Sequence, residues 1–120
     1  MKKKNILIAA ITILGFATIT KAQNVRAWGT YYTGTGQVWP NGEERGSSCI
    51  TDAAGNVYMV GFTSSNSDIA TVGAYQIVYA GGTITFGTGG YDAFLVKFNS
   101  SGERQWATYY GGSENDKGIS

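Results

Sequence analysis

The sequence contains no histidine, a single cysteine and a single proline. Without histidine, the chain cannot assemble a Ser-His-Asp or Cys-His nucleophile system, and the usual zinc-ligand sets are absent as well. Cys49 has no partner for an internal disulfide, and its place in an apolar strand pattern predicts a small buried side chain. An intermolecular disulfide, or one to a cysteine further along the chain, is the alternative. We expect no catalytic residue and no cofactor.

Charge is also scarce, at 14% of the residues. A nucleic-acid surface needs clustered lysine and arginine to displace counterions from phosphates. Outside the N-terminal region the basic residues are scattered: Arg26, Arg45, Lys97, Arg104 and Lys117. The sequence therefore predicts no nucleic-acid partner.

The N-terminal region has the pattern of an export signal. Lys2, Lys3 and Lys4 precede an apolar run over residues 6–19, which is shorter than the about 20 residues that a membrane span needs. Small residues then precede Gln23. We predict a signal peptide over residues 1–22, a mature chain over residues 23–120 that is secreted or held at the cell surface, and no membrane contact after cleavage. A retained membrane anchor is the alternative.

The mature part is rich in glycine and in short β-favouring runs, and no segment has a sustained helical period. This composition predicts an all-β domain of antiparallel strands. Two hairpins are predicted from four-residue turns that begin with Asp52 or Asn99 and end with Gly55 or Gly102, because the first side chain caps turn amides and glycine accepts a positive φ. The predicted strands cover residues 48–51, 56–63, 92–98 and 103–110.

These strands carry apolar residues on both faces, whereas an antiparallel sheet that is wet on one side alternates. They are typical of four-stranded sheets stacked face to face, as in the blades of a β-propeller. Residues 64–90, rich in glycine and threonine, are predicted to form an ordered connection between blades with short strand-like pieces.

The chain also begins to repeat itself. The string WGTYY at residues 28–32 returns as WATYY at residues 106–110, and Gly46 and Ser48 return as Gly118 and Ser120 after an insertion in the first copy. Repeats of this kind bury their apolar faces against their neighbours. We therefore expect an incomplete β-propeller that needs downstream repeats of the same chain.

The combined pattern resembles the SBBP family of β-propeller repeat proteins. The matching segments are residues 106–113, 116–120, 51–63, 70–76 and 92–102, and the resemblance covers essentially all of residues 27–120. It implies a non-catalytic, secreted or surface-displayed module that binds a protein or a polysaccharide. The alternative is the propeller portion of an extracellular polysaccharide-active enzyme whose catalytic residues lie outside this chain.

Few side chains are candidates for chemistry. Glu114, Asn115 and Asp116 offer oxygen ligands of the kind that calcium accepts, but turn formation explains them as well. Carboxylate pairs of the glycosidase type would have to come from Glu43, Glu44 and Glu103, which as charged loop residues are more simply solvated. Trp28 and Trp106 could stack on sugars, but their equivalent repeat positions favour packing between blades.

Overall fold

A computed structural model describes residues 26–37, 43–81 and 90–120. The predicted signal peptide and the segment inserted in the first motif copy around Trp39 lie largely outside these ranges. The described residues contain six strands and no helix that is long and apolar enough to cross a membrane. The strands are β1 (Thr35–Gln37), β2 (Glu44–Thr51), β3 (Val57–Thr63), β4 (Ser65–Ser67), β5 (Asp92–Phe98) and β6 (Arg104–Tyr110).

Four of the strands form one antiparallel sheet in the order β2-β3-β5-β6, and β1 pairs with β4 in a small antiparallel sheet. The prediction of an all-β chain with antiparallel sheets is therefore confirmed. The pairing of β3 with β5 joins the two predicted hairpins, so that one continuous surface runs across four strands.

Both hairpin turns have the predicted chemistry. The Oδ1 atoms of Asp52 and Asn99 each accept hydrogen bonds from the amides two and four residues further along the chain, at 2.9 to 3.0 Å. Gly55 and Gly102 close the turns with φ angles of +78° and +84°, a region that residues with a Cβ rarely adopt. The hydrogen bond from the Asn56 side chain, ahead of other causes, holds the pKa of Asp52 below its usual value.

One face of the four-stranded sheet is covered by the chain itself. Alternation along β5 directs Phe94, Val96 and Phe98 to this covered face, where the fully buried Ile69 packs against them. The motif copy at residues 28–32 completes the cover through two half-buried aromatic side chains. The core of the domain is therefore a single layer between the sheet and irregular segments of the same chain.

The connection over residues 64–90 differs from its predicted place. We expected it to link two blades, but it joins β3 to β5, which are neighbours in one sheet. Its stretch over residues 71–76 lies along the outer edge of β6, where the Thr71 amide donates to the carbonyl of Ala107 at 2.9 Å and the Tyr109 amide donates to the carbonyl of Gln76 at 3.0 Å. These bonds pair backbone groups that an edge strand would otherwise leave to water or to another chain.

The prediction that Cys49 is buried is wrong. Cys49 lies on β2 opposite Met59 and is exposed. Alternation places it on the covered face, as an apolar pattern suggests, but β2 is the outermost strand and the covering segments do not extend over it. A single sequence gives the face of a strand residue but not the position of its strand in the sheet.

Candidate functional site

The face of the sheet opposite the core forms a broad apolar surface, which we call the open face. The register aligns its side chains in rows across the four strands. The central row contains Val60, Leu95 and Thr108, and a second row contains Tyr58, Lys97 and Trp106. Ile50 on β2 extends the second row, and Tyr110 on β6 lies in a third row with Ala93 and Phe62.

Several of these side chains are accessible to solvent in spite of their apolar character. Ile50 is 71% exposed, Tyr110 is 66% exposed and Trp106 is 36% exposed. Two shallow depressions, of about 370 and 540 Å³, lie on this face and share Leu95 and Thr108 in their walls. Exposed aromatic and aliphatic side chains that share one face are typical of interaction surfaces.

The C-terminal segment closes one end of the open face. The Lys117 ammonium lies 4.8 Å from the ring centre of Phe62 and 5.0 Å from that of Tyr91, and the Gly118 amide donates to the carbonyl of Gly61 at 3.3 Å. The Tyr91 hydroxyl donates to Glu43 Oε2 at 2.7 Å. This hydrogen bond raises the pKa of Tyr91 and lowers that of Glu43, because it stabilises the protonated phenol and the ionised carboxylate.

Aromatic contacts line the opposite part of the open face. Tyr75, from the connection between β3 and β5, stacks on Tyr110 with 6.1 Å between ring centres. Trp106 meets Tyr58 edge-on at 6.4 Å, and the Lys97 ammonium lies 5.2 Å from the Tyr58 ring centre. Lys97 is thus the cation of the second row, and the central row of Val60, Leu95 and Thr108 carries no charge.

The first copy of the WxTYY motif packs on one face of the sheet, whereas the second is a strand of the sheet itself. In the first copy, Trp28 and Tyr32 pack on the covered face and Tyr31 is 98% exposed. In the second copy, which forms most of β6, Tyr109 is buried in the core while Trp106 and Tyr110 are on the open face. Packing therefore explains Trp28, whereas Trp106 has its indole accessible.

The three residues considered as calcium ligands have different surroundings. Glu114 is exposed, the Asn115 Oδ1 accepts from the Tyr91 amide at 3.0 Å, and Asp116 Oδ2 accepts from the Gly112 amide at 2.7 Å. Asp116 thus has a local contact of the turn-forming kind, whereas Asn115 binds a backbone amide from a distant part of the chain. Over residues 26–37, 43–81 and 90–120, no group of three or more histidine, cysteine, aspartate or glutamate side chains is arranged to hold a metal ion.

Each of the glutamates considered for acid–base chemistry is bound by other side chains. Glu43 contacts Tyr91 and forms an ion pair with Arg45, while Glu44 accepts hydrogen bonds from hydroxyl groups, including that of Thr63 at 3.0 Å. Glu103 binds the Asn99 side chain at the far end of the sheet. Their structural contacts account for these carboxylates.

Sequence analysis missed Asp92, which is fully buried at the start of β5. Its Oδ2 accepts from the Ala80 amide at 2.8 Å and from Gln76 Nε2 at 3.1 Å, while its Oδ1 has no hydrogen-bond partner within the described part of the chain. Burial raises the pKa of this carboxyl, and the nearby Asp116 adds to the effect. An aspartate at the first position of a strand resembles an ordinary turn residue in sequence, so no local signal identifies it.

Comparisons of the chain with protein-family models, with curated proteins and with solved structures find no match.

Proposed function

We propose that this chain is a non-catalytic repeat module of the SBBP type, exported from the cell, whose four-stranded sheet is one blade of a β-propeller. The observation that carries the proposal is the asymmetry of the sheet. One face is covered by the first WxTYY copy, and the other bears the second copy's Trp106 and Tyr110 in an accessible position. Repeat units that stack need two different faces, one that accepts side chains of the neighbouring unit and one that presents them.

The proposed role is to form part of a stacked scaffold and to bind a partner. Both hairpin turns lie at the same end of the sheet, where a Cβ added at Gly55 would come within 3.2 Å of the Ser100 Cβ. Such loops can contact a protein or a polysaccharide outside the cell. The two capped turns at Asp52 and Asn99 are rigid enough for this purpose, because each has its own side chain bound to two amides.

Stacking can be tested with tandem polypeptides in which the full chain is followed by one or two further copies of residues 23–120. Each added unit should cover the open face of the unit before it, so the urea midpoint should rise with copy number, as in other repeat arrays. Tandems whose midpoint does not depend on copy number would contradict the proposal.

The binding role and the enzymatic alternative can be separated in one assay. The longest tandem is incubated with insoluble cellulose or chitin, and both the bound protein and the released reducing ends are measured. Binding without release supports a recognition module. Release of reducing ends would favour the polysaccharide-active alternative and overturn the non-catalytic assignment.

Export can be checked independently. Mass spectrometry of the full-length product from an exporting host should find it outside the cytoplasm with Gln23 as its first residue. A product retained in the membrane with its leader intact would favour the anchor instead.

A further inference from the structure

The covered face contains a formed receptor for the WxTYY motif, which we call the seat and define by Phe94, Phe98 and Gly102. The Trp28 ring centre lies 5.9 Å from that of Phe98, and Trp28 ring atoms lie directly over Gly102, where an added Cβ would approach them to 2.7 Å. The seat therefore requires glycine at the end of the second hairpin turn for space as well as for backbone geometry.

Tyr32 occupies the other half of the seat. Its ring centre is 5.2 Å from that of Phe94 and 5.9 Å from that of Phe98, and its hydroxyl donates to the carbonyl of Ile69 at 3.0 Å. Desolvation raises the pKa of Tyr32 to about 12, so the phenol is neutral and donates at physiological pH. The seat thus recognises a tryptophan and a tyrosine four residues apart in an extended segment.

Trp106 and Tyr110 have the same identities and the same spacing. They project from one side of β6, because residues four apart in a strand share a face. The opposite side of β6 is already used by its own sheet, where Tyr109 is only 1% exposed. Tyr31, which corresponds to Tyr109 in the first copy, is almost fully exposed. The first copy therefore has one side in the seat and one side exposed, whereas the second has one side in its own sheet and one side free for a seat.

The first motif copy is held in the seat chiefly by its side chains. Residues 28–32 belong to no strand, and none of the described backbone–backbone hydrogen bonds outside the strands involves them. A second copy of the motif can therefore replace the first at a modest cost, because the incoming side chains restore the contacts that the departing ones lose.

We propose that the open face of one copy of this chain docks on the covered face of a second copy, with Trp106 and Tyr110 entering the seat in place of Trp28 and Tyr32. The exchange of motifs is nearly balanced, so the net gain comes from the exposed apolar side chains of the open face, such as Ile50, that the second sheet covers. This inference rests on the proposed function, since it assigns the residues through which repeat units stack.

The contact uses different surfaces on the two partners, so a pair of copies leaves one open face and one seat unsatisfied. Interfaces of this kind extend into closed rings or open chains instead of stopping at a dimer. We therefore expect a series of oligomers that grows with protein concentration.

The first test is sedimentation velocity of the chain over a wide concentration range, with three matched tyrosine and tryptophan variants. Tyr110→Ser and Trp106→Ser should each weaken self-association by about tenfold or more, as expected for aromatic anchors of an interface. Tyr31→Ser removes an even more exposed tyrosine from the first motif copy and should leave association unchanged. Equal effects at positions 31 and 110 would indicate unspecific apolar contact and overturn the proposal.

The second test locates the contact. Tyr110 is replaced by the photoreactive p-benzoylphenylalanine, and the variant is mixed with isotope-labelled chain so that cross-links between copies are recognised by mass. Cross-links should fall on the peptide that contains Phe94, Phe98 and Gly102. Cross-links to Ile50, Leu95 or Trp106 of the other copy would reveal a symmetric contact between two open faces, and their presence or the absence of any intermolecular cross-link overturns the proposal.

The two proposals fail in different ways. If tandem units gain stability with copy number while free copies show no association at any concentration, the seat exchange between separate chains is wrong and the blade assignment stands. If neither occurs, both are wrong.

Discussion

Trp28 and Trp106 occupy the same position of the repeated motif in different environments, and their substitution by alanine should have unequal effects on stability. Trp28 is half-buried against Phe98 and Gly102, while Trp106 lies on the open face with an edge contact to Tyr58. The pair is a matched comparison, because the residue type and the flanking sequence are almost the same.

The magnitude follows from the area that each side chain removes from water. A tryptophan buries about 150–250 Å² when it is enclosed, so a half-buried one removes roughly 100 Å², which at about 25 cal/mol per Å² is worth about 2.5 kcal/mol. The tilted contact of Trp28 with Phe98 adds up to about 1 kcal/mol. Trp28→Ala should therefore lower the free energy of unfolding by about 2–3 kcal/mol. Trp106 is 36% exposed, so it also removes much of its area from water, but it lacks the contact with a buried ring, and Trp106→Ala should cost about 1 kcal/mol less.

The assay is urea unfolding followed by far-ultraviolet circular dichroism, at a protein concentration low enough to avoid self-association. With a slope of about 1–2 kcal/mol per molar urea for a small domain, Trp28→Ala should lower the midpoint by roughly 1–2 M. Trp106→Ala should lower it by roughly 0.5–1 M less. If the two variants lose equal stability, or if Trp106→Ala loses more, the distinction between the covered and the open face is wrong.

Three further results are expected. Ile69→Ala should destabilise the chain by about 2–5 kcal/mol in the same urea assay, because Ile69 is fully buried, and a loss below about 1 kcal/mol would show that the connection does not belong to the core. Asp52→Ala and Asn99→Ala should each cost about 1 kcal/mol through loss of the two amide contacts, and unequal losses would contradict their equivalence. The raised pKa of Asp92 means that the fold favours the protonated carboxyl, so its contribution to stability is fully present below about pH 4 and falls as pH rises through the raised value. Asp92→Asn should remove this part of the decline, which urea midpoints from pH 4 to 7 would detect; an unchanged pH profile would refute the assignment.

The parts of the fold that the sequence could predict are those that depend on local chemistry. The turn pattern of an aspartate or asparagine followed by two small residues and glycine identified both hairpins, and β5 spans the residues that were predicted for it. The alternation in β3 and β5 also indicated that both faces of the sheet are apolar.

The parts that could not be predicted depend on contacts between distant segments. The exposure of Cys49 follows from the place of β2 at the sheet edge. The path of the connection along β6 follows from hydrogen bonds such as that between Thr71 and Ala107. The buried carboxyl of Asp92 depends on Gln76 and Ala80, which are far from it in sequence. None of these contacts leaves a periodic signal.

A single sheet cannot bury all the aromatic side chains of the repeated motif. A strand that places Tyr109 in its own core must place Trp106 and Tyr110 outward, because neighbouring strand side chains alternate between faces. The same alternation makes Tyr31 accessible once Trp28 and Tyr32 are inserted into the seat. Each copy of WxTYY thus buries the aromatic side chains of one side only. Contact with a further sheet is needed to bury both sides of one copy at once. The open face should therefore prefer a covered face to a second open face as its partner. Only the covered face has a seat in which a tryptophan ring can lie over Gly102.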